Sequence, residues 1–120
     1  MPETTVLFFE DEQGACPLLD WIDHQPEKVR LKCIVRVERL AEKGHELRRP
    51  EADTLRDGIH ELRVRSGHVN YRMLYFFHEG RAVVTHGLTK EGQVPNKEID
   101  LAVERMNAFK SDPARHTHEE

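Results

Sequence analysis

The stretch ELRVRSGHVNYRMLYFF, Glu61 to Phe77, decides the fold. Apolar and polar residues alternate on both sides of Gly67-His68, the signature of a β-hairpin. Successive strand residues point to opposite faces. Glu61, Arg63 and Arg65 therefore share one face of the first strand, with Leu62 and Val64 on the other. On the second strand Tyr71, Met73, Tyr75 and Phe77 oppose Asn70, Arg72, Leu74 and Phe76. An even-length turn at Gly67-His68 sets Arg63 directly across from Arg72. A one-residue slip would move Arg72 to the side of Leu62 and Val64, so the even register is expected.

Like charges directly opposite one another destabilise a sheet. The pair makes sense if an anion lies between the two guanidinium groups, whose planar forks suit phosphate. It makes equal sense as an ion-paired surface in which Glu61 and Asp57 neutralise the arginines. A third strand, Arg81 to Thr89, leaves His86 open. With a two-residue turn at Glu79-Gly80, His86 falls on the core face with Val84 and Leu88. With a three-residue loop it lies opposite Arg72, where an imidazole suits acid–base work. Lys90, at the strand's end, reaches the same rim in either case.

Outward from the hairpin, Thr4 to Glu10 reads as a first strand and Pro17 to Ile22 as a short helix. Pro26 to Lys43 is the clearest helix, with Val29, Cys33, Ile34, Val37, Leu40 and Ala41 recurring on one face and Gly44 as its stop. HELRRPEADTLRDG reads as a polar connection. Pro95 opens a last helix with Ile99, Ala102, Val103, Met106 and Phe109 on its apolar face. The order β-α-α-β-β-β-α predicts an α+β, two-layer domain with an antiparallel sheet, helices on one of its faces, and the first strand as an edge. Residues 1–112 are expected to form this single domain and residues 113–120 a disordered tail.

The chain has 120 residues, 33% of them charged, and a formal net charge of −4. Arg56 to Lys90 carries +3 of it, so the rest carries −7. That segregation argues for a local anion site rather than a broadly sticky nucleic-acid binder. Cys16 and Cys33 form no CxxC pair and are expected to be free, buried thiols. His116-x-His118 is no specific zinc site, so no metal is expected. No apolar run approaches a membrane span, and MPETTVLFFEDE lacks signal-peptide features, which predicts a cytoplasmic protein.

LRDGIHELRVRSGHVNYRMLYFFHEGRAVVTHGLTK followed by VPNKEIDLAVERM resembles the phage-derived HigB-like branch of the RelE/ParE toxin superfamily. The landmarks are the DGIHELR lead-in, the YR and LYFF of the second hairpin strand, the HGLTK strand end and the proline-led last helix. The resemblance spans nearly all of residues 4–110 and implies the same RelE-like element order. It implies the toxin of a type II toxin–antitoxin pair, an endoribonuclease that cuts mRNA, usually on the ribosome, without metal or cofactor. In such enzymes the RNA's own 2′-hydroxyl attacks the adjacent phosphate, and cations stabilise the charge that develops.

Carried over by position, Arg72 matches the arginine at the scissile phosphate, Arg63 a second basic residue, and Lys90 the first lysine of a rim pair. Arg65 joins the phosphate-binding set from the charge argument, and His86 is the candidate acid–base group. The expected partners are a cognate antitoxin protein, mRNA and the ribosome, with no membrane and no small-molecule cofactor. Glu91 stands where the branch has a second lysine, and Ile59 and Glu61 where other RelE-type toxins have lysines. The same fold hosts ParE-like toxins that poison DNA gyrase without catalysis, and a catalytically degenerate binding module is a third reading.

Overall fold

A computed structural model describes residues 3–119; residues 1–2 and 120, which the expected domain and tail include, lie outside it. Chain order is β1 (Val6–Phe8), α1 (Pro17–Asp23), α2 (Glu27–Lys43), a 3-10 turn (Gly44–Glu46), β2 (Ala52–Arg56), β3 (Ile59–Ser66), β4 (Val69–His78), β5 (Arg81–Thr89) and α3 (Asn96–Ser111). The strands form one sheet in the order β1-β5-β4-β3-β2. β1 runs parallel to β5 as an edge, and the other neighbours are antiparallel. The α+β class stands, with a mixed sheet in place of a purely antiparallel one.

Both faces of the sheet are covered, not one. α1 and α2 lay Leu18, Ile22, Val29, Cys33 and Leu40 against Leu62, Met73, Tyr75 and Val84. α3 lays Ile99, Ala102, Met106 and Phe109 on the opposite face, against Ile59, Leu74, Phe76 and Val83. The run Met73-Leu-Tyr-Phe-Phe77 carries the reason, because a strand apolar on both sides must be covered on both. Each large side chain so buried contributes roughly 1.5–3 kcal/mol. α3 reaches only the Leu74–Phe76 half of its face and leaves the arginine half open. On α2, Ile34 is half exposed, together with Leu31 and Val35. The buried stripe is Val29, Cys33 and Leu40. Both cysteines are free and buried, and burial pushes the Cys33 thiol up to about 11.

The segment read as a polar connection contains a strand. β2 pairs with β3 through the turn Asp57-Gly58, where both residues have positive φ. That is the favoured two-residue hairpin chemistry. The chain after α3 also differs from the expected disordered tail. His116 is buried and stacks on Phe9 at 5.1 Å. The backbone hydrogen bonds Glu10 N–His116 O and His118 N–Phe8 O, both 2.9 Å, fasten this strap to the end of β1.

β5 holds one irregularity that matters. Glu79-Gly80 is a two-residue turn, with His78 facing Arg81. Val84 pairs with Tyr75 but His86 pairs with Leu74, so Thr85 forms a β-bulge that reverses the facing of everything after it. Gly87 thereby points at α1, and a Cβ there would land within the Trp21 indole. Gly87→Ala is expected to lower stability by about 1–3 kcal/mol through overpacking and to shift the fluorescence of the single tryptophan. Unchanged denaturant midpoint and emission would contradict this packing.

Candidate functional site

The Gly67-His68 turn places Ser66 opposite Val69, which sets Arg63 directly across from Arg72 and Arg65 across from Asn70. The arginine face is thus real geometry, and what neutralises it is Glu61. This carboxylate is 2% exposed. Its Oε1 accepts from Arg72 Nη1, and its Oε2 accepts from Arg63 Nη2 at 3.2 Å. The second partner is Asp53 on β2, not Asp57. Asp53 Oδ2 lies 3.0 Å from Arg63 Nη2 and 2.7 Å from Arg49 Nη2. Hydrogen bonding from Arg49 holds the Asp53 carboxyl below its usual range. Asp57 instead pairs with Arg56.

Arg72 is fully engaged. Besides Glu61, it donates from Nη2 to Gly92 O at 2.8 Å and from Nε to Lys90 O at 3.3 Å. It clamps the β5–α3 loop to the sheet and stands as a fixed charge rather than a swinging arm. Arg63 keeps more freedom, with its side chain 37% exposed. Beside it the hairpin tip rises past the end of β2 and leaves a hollow of about 480 Å³, lined by Arg36, Arg63, Arg65, Asn70 and Arg72 among others, with no carboxylate in its wall. Arg65 is exposed there, and among the described residues its side chain is held only by Nε to Gly67 O at 3.3 Å. Across β3, a groove holding Glu61, Asp53, Gln93 and Asn96 separates the network from the start of α3. The arrangement offers cations to a polyanion on one side and a buried carboxylate between them.

Residues 20–107, from α1 through most of α3, match the family of phage-derived Gp49-like proteins (DUF891). The chain belongs to that family. No curated protein matches it. The family description carries phage derivation, in keeping with the resemblance read from the hairpin, and names no reaction.

The remaining candidates of this Gp49-like chain fall apart from the arginines to different degrees. Lys90 is exposed at the end of β5; its backbone N–H donates to Asn70 O at 3.1 Å, and among the described residues no carboxylate pairs with its ammonium. His86 reaches the face of Arg72 through the Thr85 bulge, by neither of the two loops considered for it. It does not join the arginine site. Its ring is sealed under α3, with Nε2 3.1 Å from Glu98 Oε1 and Nδ1 2.9 Å from Thr85 Oγ1. Burial, reinforced by Arg105, pushes its pKa down to about 4 against the pull of Glu98. At neutral pH His86 is an uncharged core residue. The polar composition of β2 disguises it as loop and hides Asp53 and Arg49, although the Asp57-Gly58 dipeptide between Leu55 and Ile59 is a hairpin signal.

The His86 shift sets a pH dependence. An unfolded chain protonates this imidazole near 6.5, whereas the folded one resists until about 4. The unfolded state therefore binds more protons in that window, and stability is lost as pH falls from 6.5 towards 4. The loss reaches roughly 3 kcal/mol for a shift of this size. His86→Gln should flatten the acid limb of urea-unfolding free energy by that order, and a limb parallel to wild type would contradict the assignment.

Proposed function

We propose that this Gp49-like protein is the toxin of a type II toxin–antitoxin pair and a metal-independent endoribonuclease acting on mRNA at the ribosome. The observation that supports the reading most is the juxtaposition of Arg63 and Arg72 across the hairpin with the Glu61 carboxylate spanning them. A phosphate entering the hollow meets Arg65 and the exposed side of Arg63, while Arg72 holds a fixed positive charge behind them. These are the cations that a pentacoordinate phosphate needs. Glu61 is the carboxylate within the set. As the phosphate draws Arg63 outward, its Oε2 accepts the proton of the 2′-hydroxyl. O2′ then bonds to phosphorus, the P–O5′ bond breaks, and Lys90 at the rim supplies the proton to O5′. The products are a cyclic phosphate and a free 5′-hydroxyl.

A second reading, a binding module without catalysis, is favoured by one specific observation: every donor nitrogen of Arg72 is already committed to Glu61, Gly92 or Lys90. The antitoxin, under the leading reading, is the partner that holds the toxin inactive.

Controlled expression in cells with primer extension on mRNA separates the readings. Wild type is expected to arrest growth and produce new RNA 5′ ends. Arg63→Ala leaves Glu61 paired with Arg72, so the fold should persist while cleavage falls about 10²-fold or more. Arrest without new 5′ ends contradicts the nuclease and points to a gyrase-type target. Absence of arrest favours the binding module.

A further inference from the structure

On the α2 side of the sheet, beneath the 3-10 turn, lies a second cavity of about 370 Å³ that the arginine chemistry does not use. Its walls include His45, His60, Tyr75 and Phe77. His45 stacks on Phe77 with ring centroids 3.6 Å apart, and His60 stacks on Tyr75 at 5.2 Å. Two stacked pairs thus bring four aromatic rings to the lining of one cavity.

Tyr75 is 2% exposed and lines the cavity, and no side-chain hydrogen bond engages its hydroxyl among the described residues. Burial, together with His45, lowers the His60 pKa, so at neutral pH its ring is uncharged. Its Nδ1 is 3.1 Å from Thr54 Oγ1, and Nε2 has no hydrogen-bond partner among the described residues. Two polar atoms with open hydrogen-bonding capacity, a phenol O–H and an imidazole nitrogen, thus meet among aromatic faces. Arg48 stands exposed at the rim, with no carboxylate partner among the described residues. Arg49, Asp53 and Thr54 line both this cavity and the Glu61 groove, so the two adjoin around edge strand β2.

Flat walls, a hydrogen-bonding edge and a cationic rim together describe what recognises an unstacked nucleobase with its phosphate. We infer that this cavity is a nucleobase subsite. It takes one base of single-stranded RNA against the His45 and His60 rings, with the base edge on Tyr75 Oη and His60 Nε2 and a phosphate on Arg48. The volume lies within the range of small-ligand pockets. The choice of RNA over another planar anion rests on the reading of the adjoining groove; the binding itself does not.

The test titrates the full isotope-labelled chain with AMP, GMP, CMP and UMP, and with a 2′-deoxy trinucleotide that cannot be cleaved, following amide shifts. Shifts at His45, Thr54, His60 and Tyr75 are expected, and Tyr75→Phe, which keeps the ring and its packing, should weaken binding about five- to tenfold. His45→Ala, an exposed change, should weaken it as well. No shift at these residues with any probe, or wild-type affinity in Tyr75→Phe, overturns the inference. Mononucleotides that bind here in a chain that cuts no RNA would leave the subsite standing and remove the nuclease. RNA cleavage without shifts in this cavity would do the reverse.

Discussion

Glu61 is a carboxylate buried between two arginines at the middle of a sheet, and much of the molecule is arranged around it. Arg63 and Arg72 could not face each other across the hairpin without it. Through Arg63 it is linked to Asp53 and Arg49, which joins β2 to the sheet edge by charge as well as by backbone pairing. Through Arg72 it anchors Lys90 and Gly92, and so fixes where the chain leaves β5 before α3 begins. Removing Arg72, the largely buried partner, leaves the Glu61 charge poorly compensated, at a cost of about 3–5 kcal/mol.

The second constraint is the length of cover that α3 provides. Leu74 and Phe76 disappear beneath it while Arg72, one alternation further along β4, stays at the open half of the same face. A single strand thus contributes core at one end and charge at the other. The bulge at Thr85 does comparable work on β5, aiming Gly87 at Trp21 and His86 under α3. The imidazole is thereby removed from the arginine chemistry and becomes part of the packing.

The hairpin was legible because alternation and a short glycine turn fix register locally; Ile59–Ser66, Val69–His78 and Arg81–Thr89 follow from the sequence residue for residue. Two-sided burial was written in Met73 to Phe77 too, but there the alternation of Arg63 and Arg72 suggested a single wet face. β2 was hidden by its polar composition, since Asp53 and Thr54 read as loop unless Asp57-Gly58 is taken as a turn. The facing of His86 could not be read, because a bulge leaves no signature in residue type. The strap at His116 depends on a ring stacked on Phe9, more than a hundred residues away in the chain, and local periodicity carries no such information. The roles of Glu61 and Asp53 needed coordinates for the same reason: sequence gave their sign, and only the fold gave their partners.

The cationic site is preassembled and internally balanced. An anion that enters must compete with Glu61 for Arg63 while Arg72 stays in place, so its binding is set by the strength of one ion-paired cluster. A double-mutant cycle on Glu61→Gln and Arg72→Met, read by chemical unfolding, measures that strength directly. Strong coupling between the two changes, about 2–3 kcal/mol, is predicted for a buried pair. Additive effects would contradict the account, because Glu61 would then not be what holds the arginine face together.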